Sequence, residues 1–266
     1  MQELLTEYRR IAVFGGVYNN SEALRETLAD ARGRGVEAVF CLGDLGGFGP
    51  HPDRVYPLLR EAGVRVMQGN YDVSLATGRE DCGCGYTDPR DNYFARISYE
   101  YIFRNTSTPH KAWLGDLPTG FRVRLGPHRV VMAHGSPRLV NEFLWETSTP
   151  DGFLARCLDE ARADVLLCTH TGIKWRRALN DGRHAVNVGV IGRPENDGST
   201  NVWYTILTAE PALSVEFLPV HYDHETMARE IEREGLPAEF AETIRTGWWT
   251  TCLENLPAKE RARGKY

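Results

Sequence analysis

Short apolar runs that stop on a glycine or on a polar, metal-capable residue recur along the chain. Residues 11–14 form the first, Gly15-Gly16 interrupts it, and 21–31 follows with Leu24 and Leu28 on one face, the period of a helix capped by Asn20 or Ser21. Gly33 and Gly35 end that helix. A second run at 36–42 stops at Gly43-Asp44, residues 52–62 read as a helix opened by Pro52-Asp53, and a third run at 64–67 leads to Gly69-Asn70. Strand, helix, strand, helix, strand calls for a parallel sheet. Beyond Asp72 the rhythm is lost. Residues 80–90 hold too many turn formers for a regular element, and 92–103 and 109–114 read as helices, the latter with Trp113 packed inward.

The second half changes character. Runs at 121–125 and 129–133 are separated by Gly126-Pro127-His128, a hairpin signature. A helix at 150–161 feeds a strand at 164–168 that stops short of His170, strands follow at 185–188, 201–207 and 213–217, and helices at 225–234 and 237–244. The simplest assembly is an α/β fold of four layers, an α-β-β-α sandwich of two mixed sheets. Residues 1–220 would form the main domain and 221–266 a C-terminal helical extension packed on it. The pair Trp248-Trp249 in that extension covers the body of the domain or forms a partner-binding patch.

Composition narrows the class without naming a function. The 266 residues are 42% hydrophobic and 25% charged, enough apolar material for a large core. A formal charge of −5 supplies no general attraction to nucleic acid or to an anionic membrane. No apolar run reaches the length a bilayer demands, and residues 1–10 lack the core of a signal peptide, so a cytoplasmic protein is expected. The six cysteines, at 41, 82, 84, 157, 168 and 252, do not form a disulfide framework of the small secreted kind, and reduced thiols are expected.

The chemistry gathers where the strands end. Asp44, Asn70, His134 and His170 each finish a separate apolar run, at the end of the sheet where α/β proteins place their sites. The ordered set Gly43-Asp44, Gly69-Asn70, His134-Gly135-Ser136-Pro137 and Thr169-His170-Thr171, followed by Val186-Asn187-Val188-Gly189, resembles the calcineurin-like metallophosphoesterases over most of residues 11–207. The turn Gly47-Phe48-Gly49-Pro50 is similar to that of the bacterial phosphodiesterase and diadenosine-tetraphosphatase-like branch. Each motif alone is weak, and their order and spacing make the set specific. The resemblance implies a phosphoric ester hydrolase whose paired metal sites share one aspartate, here Asp44. It implies that Asn70, His134 and His170 complete one site for a divalent transition metal, Mn, Fe or Zn, which mixed oxygen and nitrogen donors suit.

Several positions depart from the family pattern. Where its first motif has Asp-x-His, this chain has Gly16 and Tyr18, and where its last has a second histidine, this chain has Gly172. Three of the four ligands of the first site are therefore missing. The third motif's histidine is replaced by Tyr71, leaving Tyr71 and Asp72 as the candidate catalytic residues, although a phenol with a pKa near ~10 is a poor proton shuttle at neutral pH. Cys82 and Cys84 could replace the lost ligands or simply lie in a tight turn. Asn20 is either a substrate-facing amide or a helix cap, and Tyr18 could fill the space of a missing metal. Arg193 could bind a phosphate or face solvent; Gly46, Gly47 and Gly49 either shape the bend or let a phosphate approach the backbone. Two functional classes follow. One is a hydrolase of phosphate mono- or diesters acting on a phosphorylated small molecule or nucleotide with one well-formed metal site and a doubtful second. The other is a catalytically weak or inactive scaffold that binds a phosphorylated ligand or a protein partner.

Overall fold

The computed structural model describes residues 1–210 and 212–264. Its strands fall into two mixed sheets. The chain opens with β1 (Gln2–Tyr8), turns at Arg9 and enters β2 (Arg10–Phe14), the middle strand of the other sheet. Then come α1 (Ser21–Gly33), β3 (Ala38–Cys41), a 3-10 turn at Pro52–Arg54 continuing into α2 (Val55–Glu61), and β4 (Arg65–Val66). Three helices follow, α3 (Asn70–Thr77), α4 (Pro89–Asn105) and α5 (Thr108–Asp116), before the hairpin of β5 (Phe121–Leu125) and β6 (His128–Met132). The remainder is α6 (Asp151–Ala161), β7 (Val165–Cys168), β8 (Trp175–Ala178), β9 (His184–Asn187), β10 (Val202–Thr208), β11 (Ser214–Val220), α7 (His224–Arg233), α8 (Ala238–Thr246) and the single turn α9 (Ala258–Arg261).

One sheet has the order β1-β5-β6-β7-β9-β8 and the other β11-β10-β2-β3-β4. Side-chain alternation turns these two sheets into four layers. On β2, Ile11 and Val13 face the opposing sheet and meet Phe121, Val123, Val130, Met132, Val165 and Leu167, while Ala12 and Phe14 face outward into a cluster with α1, α2, α4, α7 and α8. On β7, Val165 and Leu167 point inward, and Leu166 and Cys168 pack outward against Leu154, Cys157 and Leu158 of α6. The α-β-β-α sandwich read from the sequence is the observed architecture. Met227, Ala228 and Ile231 of α7 and Phe240, Ala241 and Ile244 of α8 belong to the same apolar cluster as the first half of the chain.

Several elements differ from the sequence reading, each for a physical reason. β1 shows no apolar alternation because it is an edge strand, paired in parallel with β5 alone and exposed along most of its length. β8 closes the opposite edge of the same sheet. The third predicted strand shortens to Arg65–Val66, since at Gly69 the chain turns directly into α3, an unforeseen helix that buries Asn70, Tyr71, Asp72 and Ser74 along with Leu75. Trp113 is only half-buried, its ring edge-on to Tyr56 and under the Arg60 guanidinium, and Leu114 is the residue of α5 that is fully sealed. Cys82 and Cys84 are joined in a disulfide, so reduced thiols hold for Cys41, Cys157, Cys168 and Cys252 and not for this pair.

Candidate metal centre

Four chain segments bring the polar strand-end residues together. Asp44 follows β3 with a φ of 59°, and His170 follows β7 with a φ of 49°, both left-handed conformations that non-glycine residues seldom hold outside functional sites. His134 comes two residues after β6, and Asn70 is the first residue of α3. The donors converge. His134 Nε2 is 3.2 Å from Asp44 Oδ2 and 3.2 Å from His170 Nδ1, and one donor atom from each of the three residues lies within 4.8 Å of the others. Asp44, Asn70 and His134 are buried.

The arrangement fits a metal on two further counts. His134 Nδ1 is 2.6 Å from the Leu42 carbonyl oxygen, which can only accept, so this nitrogen carries the proton and Nε2 is left as the ligating atom. The Asn70 side-chain oxygen and His170 Nε2 are buried with no hydrogen-bond partner, and an unpaired acceptor at such depth is costly unless something electropositive meets it. Burial opposes protonation of His134, but the Asp44 carboxylate and the hydrogen bonds to Asp44 and Leu42 outweigh it and raise its pKa. Burial, and then the charge of His134, pull His170 down to about 3, leaving a neutral imidazole.

Around the donors, the fold spends several residues on orientation. Asp72 is fully buried; its Oδ2 accepts from the backbone N–H groups of Asp44 at 2.7 Å and Gly69 at 2.8 Å, and its Oδ1 from that of Leu45 at 3.1 Å. Burial and the charge of Asp44 push its pKa up to about 7, against the three N–H groups that favour the carboxylate. The Tyr71 N–H donates to Asp44 Oδ1 at 3.0 Å, whereas its hydroxyl lies in the core 3.4 Å from Ser98 Oγ, with its pKa raised by burial. Tyr71 thus meets the site through its backbone, and Asp72 through the backbone it holds. Asn187 performs the same service for His170, donating to the Thr169 carbonyl at 2.6 Å and Thr171 Oγ1 at 2.8 Å. The Phe143 ring lies 4.6 Å from that of His170.

The expected substrate-binding residues fare differently. Asn20 is spent on the fold: its Oδ1 accepts from Ala23 N–H at 3.0 Å as the cap of α1, and its Nδ2 donates to the Gly192 carbonyl at 3.2 Å. Arg193 does not face solvent; it is 6% exposed, with its guanidinium carbon 3.6 Å from the Trp249 ring centroid and 4.8 Å from that of Phe48. Trp249 is buried and Trp248 half-buried, which makes the pair a cover rather than an open patch.

The space beside Gly16, where the resemblance implied ligands of a first site, is filled by a side chain. Tyr18, buried and at a φ of 48°, sits among Gly16, Gly47 and Gly192, where any β-carbon would strike its ring or its own Cβ. Of the three glycines of the bend, Gly47 therefore makes room for the Tyr18 ring, while Gly46 lies against Ile102 and Leu75 and Gly49 against the Tyr18 carbonyl and Met227. Cys82 and Cys84 are joined to each other, so neither offers a free thiolate to this space. They flank the intact ligand set, with Asn70 Nδ2 donating to the Cys82 carbonyl at 2.9 Å and lying 3.5 Å from Cys84 Sγ. Residue type and spacing had singled out Asp44, Asn70, His134 and His170; the supporting roles of Phe143 and Trp249 had no local signal.

Comparison with known proteins agrees with this geometry. Residues 10–210 match the profile of the calcineurin-like phosphoesterase superfamily domain. An uncharacterized protein of Methanocaldococcus jannaschii is 24% identical over 253 residues, 89% of this chain and 98% of its own length. Among solved structures, a hypothetical protein from Pyrococcus horikoshii superposes with a TM-score of 0.76 at 21% identity, over 91% of this chain and 99% of that one. A metallophosphoesterase from Sphaerobacter thermophilus does so with a TM-score of 0.68 at 24% identity, over 91% and 100%.

Proposed function

Because the chain belongs to the calcineurin-like phosphoesterase superfamily, we propose that it hydrolyses phosphate mono- or diesters with one divalent transition metal held by Asp44, Asn70, His134 and His170. The observation that carries this reading is the convergence of donor atoms of Asp44, His134 and His170 within 4.8 Å of one another, together with a buried Asn70 oxygen that has no partner and a His134 Nε2 left free of a proton by the Leu42 carbonyl. A cation of the Mn, Fe or Zn type held by these four residues would supply Lewis acidity toward a phosphoryl oxygen and lower the pKa of a bound water. The protein's own part is positional. The Tyr71 N–H holds the Asp44 carboxylate and Asp72 its backbone N–H, Leu42 selects the His134 tautomer, and Asn187 holds the turn that presents His170. The ligand class is a phosphorylated small molecule or nucleotide. Among the described residues no helix is long and apolar enough to cross a membrane.

A second reading, a scaffold that binds a phosphorylated ligand without turning it over, is favoured by one feature: Tyr18 fills the first site. The two separate by assay. Protein purified without chelator should carry about one ion per chain and cleave a nitrophenyl phosphate mono- or diester in the presence of Mn. Asp44→Ala and His134→Ala should each abolish both properties. Cleavage that survives both substitutions would come from a contaminant and would leave the scaffold reading standing.

A further inference from the structure

Arg193 is left without a role by a single-metal hydrolase. The residue is 6% exposed, its Nε is buried with no hydrogen-bond partner, and among the described residues the side chain joins no ion pair. A guanidinium drawn this far from water without a counter-charge loses hydration that other groups must replace. The two aromatic faces of Trp249 and Phe48 return part of that through cation–π contact, and they hold the fork in one plane. Aromatic faces accept no hydrogen bonds in the guanidinium plane, so its N–H donors stay available.

The position of the group gives it a meaning. Nη2 lies 3.7 Å from where a β-carbon on Gly172 would stand, and Gly172 is the residue in place of the second histidine of the lost first site. A side chain there would meet both Arg193 and the Trp249 ring. Gly192, the residue before Arg193, is one of the glycines on which a β-carbon would strike the Tyr18 ring. A permanent positive charge therefore stands near Gly172, two residues from His170, and next in the chain to the glycine that packs on Tyr18.

We propose that Arg193 replaces the first cation: its guanidinium binds the oxygens of a phosphate group whose remaining oxygens face Asp44, His134 and His170. This rests on the phosphoester reading above and adds to it that the site works with one metal and one arginine. Guanidinium suits the task, since its planar fork pairs two N–H groups with two phosphate oxygens and stays charged at any working pH. Gly172 and Tyr18 then follow as accommodations, the first clearing space for the fork and the second filling what a metal would have occupied.

The test is calorimetric titration of the full-length protein with inorganic phosphate, in metal-loaded and chelator-stripped forms, with metal content measured alongside. Arg193→Gln should weaken phosphate binding by about tenfold to a hundredfold in both forms while metal content stays at the wild-type level. Arg193→Lys, which keeps charge but loses the fork, should recover only part of the affinity, and it decides the matter should the glutamine variant fail to fold. Phosphate affinity unchanged in either variant overturns the proposal, as does a stripped wild-type protein that binds no phosphate. The two readings fail separately. Loss of phosphate binding in Arg193→Gln, in a protein that cleaves no phosphoester, would retain the arginine site and discard the hydrolase; hydrolysis indifferent to Arg193 would do the reverse.

Discussion

Asp72 shows how far a residue's neighbourhood in sequence can mislead about its work. Beside Asn70 in the third motif it reads as a catalytic carboxylate, yet both its oxygens are consumed by the N–H groups of Asp44, Leu45 and Gly69. In Asp72→Asn one carboxamide oxygen must replace two acceptors and the amide NH2 opposes a backbone N–H. The variant should lose about 1–3 kcal/mol of stability in urea denaturation. Its metal affinity, measured by competition with a chelating dye, should fall by roughly tenfold to a hundredfold. Wild-type affinity in a destabilised variant would show that the brace serves folding alone. Asp44, Asn70, His134 and His170 were legible because ligand types at strand ends are a local pattern. The direction of the Tyr71 hydroxyl, toward Ser98, and the stacking of Arg193 on Trp249 are set by segments distant in sequence, which no local pattern encodes.

Among elements, the regular ones were read well and those carrying the site were not. β2, β3 and β7 bury both faces and read as plain apolar runs. In α3 the buried face is Asn70, Tyr71, Asp72, Ser74 and Leu75, so the apolar stripe that announces a helix is overwritten by polar groups the site requires. α4 makes an independent link to the C-terminal segment. Asp91, in its first turn, accepts from the Asn255 N–H at 3.0 Å, and burial followed by the hydrogen bond and charge of Glu254 lift its pKa to about 7. A carboxyl whose pKa is higher folded than unfolded contributes its full share of stability below the unfolded value and loses it as pH rises through the folded one. Between about pH 4 and pH 7 this contact should therefore weaken, by roughly 1–2 kcal/mol after solvent screening. Asp91→Asn removes the ionisation and should gain stability relative to wild type from pH 4 to pH 8. Parallel pH–stability curves from thermal melts would show that Asp91 is not the group responsible.

For the molecule as a whole, the extension beyond β11 is part of the body. Its helices share the core cluster of β2 and β3, and the segment after α8 lays Trp249 over Arg193. Trp249 is 1% exposed, its N–H donates to Asn196 Oδ1 at 2.8 Å, and its indole Nε1 to the Pro194 carbonyl at 2.7 Å. Trp249→Ala should cost about 3–5 kcal/mol in denaturant unfolding, the penalty of a cavity the size of a buried tryptophan. A loss under ~1 kcal/mol would mean that the segment lies loosely on the surface and is no structural cover.

The turn at Arg9 sends the first two strands into different sheets; β1 waits for a distant partner, and β2, which finds β3 nearby, waits for its second. β1 pairs Gln2 with Phe121, and β2 pairs Val13 with Thr205. A chain leaving the ribosome therefore carries an unmatched edge, with Leu5 95% exposed even in the finished fold, until residues 121–125 have emerged. Neither sheet can close before most of the polypeptide exists. Contacts of such long sequence separation pay their loop-closure entropy before they return any energy, so refolding should be slow and the half-made chain prone to pairing with its neighbours.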